Sequence, residues 1–177
     1  DAPPDRCYAG PLPPTGQWVR LEVPASLVAL ENRAVAGMAF SLYGGQAWWG
    51  HAGKQPVVAQ PYLPTDDWVW VDDDLPAGAT RMASTGDDWI WTTEEPGPVS
   101  GAFLHKSKWA APGTVRSHYF AYYSGQPIQP MTVNSGDELF CYVYLDPYAP
   151  PQMIMLQWRN GASWEHRAYW GADLFKY

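Results

Sequence analysis

The sequence predicts an all-β fold, a single antiparallel β-sandwich with almost no helix, on three observations. Strand-like runs alternate at period two: Trp68-Val-Trp-Val-Asp-Asp-Asp74 and Asp87-Asp-Trp-Ile-Trp-Thr-Thr93 put Val69, Val71 and Ile90 at one parity and Trp68, Trp70, Trp89 and Trp91 at the other. Successive side chains of a strand point to opposite faces, so one face reads as aliphatic and the other as indole. Eighteen prolines and sixteen glycines punctuate the chain at strand-length intervals, the pattern of a sandwich or barrel. Only residues 24–30 (Pro-Ala-Ser-Leu-Val-Ala-Leu) read as helix, a turn or two at most.

Taken in order, strands are expected over residues 17–23, 35–43, 68–72, 89–93, 118–123, 138–146, 153–159 and 163–169. The first two carry Val19, Leu21, Val23 and Met38, Phe40, Leu42 at alternate positions, and these join Val69, Val71 and Ile90 as the expected core. Arg159-Asn-Gly-Ala162 holds Asn-Gly, the strongest short hairpin signal, and Asn134-Ser-Gly-Asp137 turns the chain into a long apolar strand. Residues 55–67, rich in proline and without periodicity, read as a linker. Residues 1–54 then hold two or three strands, too few to stand alone, which must complete the sheets of residues 68–177. At 177 residues the chain suits one core and leaves little room for a second.

Composition narrows the partners. Hydrophobic residues make up 46% and charged residues 16%, so the surface is built largely from small polar residues and aromatics, as in many secreted β-proteins. The net charge of −7 and the lack of any Lys/Arg cluster argue against nucleic acid. No apolar run approaches the roughly 18 residues of a membrane span. The opening Asp1-Ala-Pro-Pro lacks an export-signal pattern, and the expectation is a secreted or cell-surface chain whose signal has been removed. Cys7 and Cys141 stand in no metal-binding spacing; they are either two buried thiols or one disulfide tying the N-terminal segment to the strand 138–146.

Several constellations carry chemistry. Asp72 and Asp73, with Asp74 and nearby acids, could supply oxygens to a structural Ca²⁺, or simply cap turns at strand ends. Glu165 and Asp72 are the pair a glycoside hydrolase would need, with nothing in the sequence to fix their separation. His51, His105, His118 and His166 show no metal-ligand spacing, and packing between aromatics is the plainer reading. No nucleophile elbow or phosphate-cradling glycine loop is present. In Trp164-Glu-His-Arg-Ala-Tyr-Trp170, strict alternation puts Glu165, Arg167 and Tyr169 on one face and Trp164, His166, Ala168 and Trp170 on the other. The polar face is either a set of hydroxyl-recognising groups or a surface ion-pair ladder.

Five blocks carry a family likeness: Gly16-Gln-Trp-Val-Arg-Leu-Glu-Val-Pro-Ala-Ser26, Gly37-Met-Ala-Phe-Ser-Leu-Tyr-Gly-Gly45, Trp70-Val-Asp-Asp-Asp-Leu-Pro-Ala-Gly-Ala79, Leu139-Phe-Cys-Tyr-Val-Tyr-Leu-Asp-Pro147 and Trp164-Glu-His-Arg-Ala-Tyr-Trp-Gly171. Together they resemble a module recurring in large exported bacterial proteins, including Rhs/YD-repeat-like and planctomycete multidomain proteins. The resemblance implies a jelly-roll, galactose-binding-like sandwich of the kind used by carbohydrate-binding modules. In that module the Trp70 block comes first and the Gly16 and Gly37 blocks follow the Trp164 block, so this chain reads as circularly permuted and its ends should lie on neighbouring strands. Cys7 and Cys141 replace other residues of the module, and their joint appearance favours the disulfide.

The expectation is therefore a non-catalytic carbohydrate-binding module of an exported protein, needing no cofactor beyond a structural Ca²⁺ at most. Its partners would be a polysaccharide and the neighbouring domains of a larger chain. Trp70, Trp89, Trp91 and Trp164 are the candidate platforms, since an indole offers a flat face for a pyranose. His105, His118, Glu165 and Arg167 are the candidate hydroxyl partners. The alternatives are a structural or adhesive module with aromatic contact faces, and, further off, a polysaccharide-active enzyme.

Overall fold

A computed structural model describes residues 6–57, 66–123 and 129–176. Thirteen strands form two sheets packed face to face, an all-β sandwich with no helix among the described residues. They are β1 (Cys7–Gly10), β2 (Trp18–Pro24), β3 (Arg33–Gly45), β4 (Ala47–Gln55), β5 (Trp68–Val71), β6 (Thr80–Ser84) and β7 (Ile90–Thr92). The rest are β8 (Leu104–Lys106), β9 (Ala110–Ala121), β10 (Met131–Val133), β11 (Glu138–Leu145), β12 (Met153–Asn160) and β13 (Ser163–Gly171). The first sheet runs β1-β13-β12-β3-β9-β6, with β10 pairing the start of β3; the second runs β2-β11-β4-β8-β7, with β5 pairing β4. Strands from the first 55 residues lie inside both sheets, with β3 central in one and β4 in the other. Of the expected linker, residues 58–65 lie outside the described residues.

The pairing is antiparallel except where β1 runs parallel to β13, with Cys7 opposite Ala168. The first and last strands, β1 and β13, are neighbours in one sheet, and the Arg6 Nε donates to Asp173 at 2.6 Å. Residues 24–30 form turns, with the Leu27 amide bonded to the Pro24 carbonyl and the Leu30 amide to the Ala25 carbonyl.

Alternate residues of the long strands fill the space between the sheets. Met38, Phe40 and Leu42 from β3 meet Ile154, Leu156 and Trp158 from β12, and face Leu21, Leu139, Val143 and Trp49 from the other sheet. Phe40 sits at the centre, ring against ring with Trp49, Trp89, His105 and His118 at centroid distances of 4.7–5.9 Å. Most of the expected core is buried, but Val69 is 42% exposed, and Val19 and Ile90 are half-buried. A bulge explains the reversal at Val69. The β4–β5 register passes from Ala52↔Val71 to Gly53↔Val69, which leaves Trp70 as the extra residue. Alternation breaks there, and both Trp70 and Val71 turn inward.

The disulfide is not formed. Cys7 lies in the first sheet and Cys141 in the second, each buried as a free thiol. The Cys7 thiol donates to the Leu27 carbonyl at 3.0 Å, and the Cys141 thiol reaches the carbonyl of Tyr142 at 3.3 Å. Burial pushes both thiols up from the ordinary value, most strongly for Cys141, which behaves as a small core hydrophobe.

Candidate functional site

The indoles expected to form a binding platform are mostly core. Trp70 and Trp89 are each 6% exposed. The Trp89 Nε1 donates to the carbonyls of Met82 and Tyr119, at 2.9 and 3.0 Å, and so ties one sheet to strands β6 and β9 of the other. Trp91 is half-buried and stacks on Trp89 at 5.8 Å and 17°. Trp70 and Trp89 thus face inward and fill the space between the sheets, while Trp68 stands exposed. His105 and His118 are also fully buried and cannot meet a sugar at the surface.

Trp164 behaves differently, because β13 carries a second bulge. Trp158 pairs with His166 and Asn160 with Ser163, so Trp164 and Glu165 together oppose the single residue Arg159. The extra residue resets the parity and turns Trp164 to the outer face of the sheet, on the same side as Arg167. Strict alternation would have separated them.

On that outer face the register aligns Arg167, Gln157, Ala39, Tyr119 and Met82 in one row across β13, β12, β3, β9 and β6. The next row is Tyr169, Met155, Ser41, Ser117 and Ser84. Ala39, small and central, lowers the floor between Gln157 and Tyr119. The result is a cleft of about 280 Å³, walled by Trp164, Arg167, Gln157 and Tyr119 and closed at the β6 end by Ser84, Thr85 and Ser117. Trp164 meets Tyr119 edge to face at 5.6 Å. The Ser41 hydroxyl donates to Ser117 at 2.8 Å, which leaves the Ser117 proton for another acceptor.

One formal charge lines this cleft, the guanidinium of Arg167, and the exposed carboxylate of Glu165 grips it through two bonds of 2.9 and 3.2 Å. Of the eight expected binding residues, then, the structure brings Trp164 and Arg167 to the cleft, with Glu165 behind the guanidinium. Tyr119, Gln157 and Ser117 were missed. Gln157 carried a signal, as the one polar residue in the run Met153-Ile-Met-Leu-Gln-Trp158.

Asp72 and Asp73 brace a loop. Asp73 accepts the backbone amides of Ala102 and Phe103 at 2.6 and 2.8 Å, and Asp72 accepts the Ser100 hydroxyl at 3.0 Å. Among the described residues no group of three or more His, Cys, Asp or Glu converges as a metal cage would require.

Comparison with known proteins returns no match to a family model, a curated protein or a solved structure. The functional reading rests on the geometry of the cleft.

Proposed function

We propose that the chain is a non-catalytic carbohydrate-binding module of an exported protein, and that a neutral glycan lies in the cleft on the outer face of β13, β12, β3 and β9. The observation that carries this reading is the half-buried indole of Trp164 set beside an ordered row of polar groups on rigid strands. A pyranose has an apolar face of C–H bonds and an edge of hydroxyls. Trp164 and Tyr119 offer the flat apolar surface, while Gln157, Ser117 and Arg167 offer donors and acceptors at fixed spacing. Side chains held by a sheet lose little freedom on binding. With Arg167 already neutralised by Glu165, the cleft suits an uncharged ligand better than an anion. Its volume lies at the small end for ligand pockets, enough for a short stretch of chain.

The absence of a carboxylate from the lining of this cleft supports binding over hydrolysis, which needs two facing carboxyl groups. A structural or adhesive role has its own observation in its favour: Trp68 and Val69 stand 41% and 42% exposed on the short strand β5, an apolar patch that a neighbouring domain could cover. Isothermal titration against soluble β-glucans, xylans, mannans and galactans separates the two. Binding to one class, lost in Trp164→Ala and weakened in Gln157→Ala with the melting temperature unchanged, supports the glycan reading. No binding to any of the four refutes it and leaves the structural role.

A further inference from the structure

A chain of buried polar groups lies behind the cleft and has no part in it. Asp87, just before β7, accepts the Lys108 amide on Oδ1 at 2.7 Å and faces His118 Nδ1 with Oδ2 at 3.1 Å. His118 Nε2 lies 2.9 Å from His105 Nδ1. The side chains of Asp87, His118 and His105 are all withdrawn from solvent.

The carboxylate fixes the first bond of the chain. Asp87 can only accept, so His118 carries its proton on Nδ1, shared with the Ser107 hydroxyl oxygen at 3.3 Å. With His118 neutral, its Nε2 holds a lone pair and accepts from His105 Nδ1–H. His105 Nε2 is left with a bare lone pair, and it has no hydrogen-bond partner although fully buried. Around it stand Phe40 from β3, Trp91 from β7, Trp89 and His118, with Trp49 beside it on β4. The titratable or charged groups facing the ring are His118 and, beyond it, Asp87. A proton arriving at Nε2 would have no acceptor.

We propose that the Asp87–His118–His105 chain is an acid-operated latch on the β7–β8 edge of the second sheet: closed while His105 Nε2 is unprotonated, and released when that nitrogen takes a proton. Burial holds the His105 imidazole well below its ordinary value, so the closed state resists the proton and the open state accepts it. The edge is built to open locally. β7 and β8 have three residues each, β7 is the outermost strand of its path, and β8 meets β4 through two registered pairs, Trp48↔Lys106 and Trp49↔His105. Opening would withdraw the Trp89 indole from the carbonyls of Met82 and Tyr119, directly beneath the outer cleft. The latch stands whether or not a glycan binds there.

Linkage sets the size of the effect. If His105 titrates near 6.5 when released and stays neutral when closed, one proton separates the states, and the opening constant rises about thirtyfold between pH 7.5 and pH 5.0. Hydrogen exchange, corrected for intrinsic rate, reads it: amides of β7 and β8 should gain about thirtyfold while staying, at both pH values, far less protected than those of β3 and β12, which exchange only through global unfolding. Protection of β7 and β8 equal to that of β3 and β12, or no gain at β7 and β8, overturns the proposal. His105→Gln should remove the pH-dependent gain at β7 and β8; retention of the full pH effect in that variant also overturns it. Should the variant fail to fold, ¹⁵N spectra of the native protein at pH 7.5 decide instead. His105 must carry its proton on Nδ1 with Nε2 bare, and an Nε2–H signal refutes the latch.

Discussion

Replacing Trp89 by phenylalanine separates a core indole from a binding one. In the folded protein Trp89 is 6% exposed, packs against Phe40, Trp91 and His118, and bonds two carbonyls of the opposite sheet through one N–H. Phenylalanine keeps most of the apolar body and loses that N–H. The shared bond contributes about 1–1.5 kcal/mol net. The missing part of the ring removes buried apolar surface and leaves a small void, costing about 1–2 kcal/mol more. The sum is about 3 kcal/mol. At roughly 2–4 °C per kcal/mol for a chain of this size, the melting temperature should fall by about 6–12 °C. Urea unfolding followed by circular dichroism, with an unchanged m-value, measures the free energy without relying on tryptophan emission. Glycan affinity measured well below the new melting point should stay within about twofold of the native protein, a limit of about 0.4 kcal/mol. A loss under 1 kcal/mol, or lost binding with stability intact, would refute the assignment of Trp89 to the core.

Three further outcomes are expected. Lys54→Met strips the counter-charge from Asp137, whose side chain is 1% exposed and accepts Lys54 Nζ at 2.7 Å; the buried carboxylate keeps the amides of Val57 and Asn134, and the loss should be about 3 kcal/mol in urea unfolding. Stability should fall on acidification: burial lowers His105 and His51 from their ordinary values, so their neutral forms favour the fold above about pH 6.5. That contribution is lost as pH falls below 6.5, and the melting temperature should be lower at pH 5.0 than at pH 7.5. Reductant should leave the melting temperature unchanged, and Cys7 and Cys141 should both alkylate once the chain is denatured; a mass increase of two hydrogens on reduction would contradict the free thiols.

The sandwich was legible because its long strands alternate cleanly: 35–43 and 153–159 sit inside β3 and β12, and their apolar parity is the core. The strands that escaped notice have a physical reason to hide. β4 reads Ala47-Trp-Trp-Gly-His-Ala-Gly-Lys-Gln55, where two glycines and a bulge opposite β11 blur the period. The first half of β9 carries Pro112 and Gly113, which look like a turn. The site was half legible. Period two assigns Arg167 and Trp164 to opposite faces, and only the bulge opposite Arg159 unites them. The indole runs misled for a related reason. Alternation reveals that two faces differ, while which face is inside depends on the sheet stacked against it, and here Trp89 fills that gap better than Ile90 does.

Chemical-shift mapping with the glycan that titrates best tests the central claim most directly. The account predicts that perturbations concentrate on the Trp164 indole, Tyr119, Gln157, Ser117 and Arg167, leaving the indoles of Trp49 and Trp158 unmoved. Perturbations centred on the opposite sheet, or on the exposed Trp68 and Val69 with the cleft silent, would contradict it.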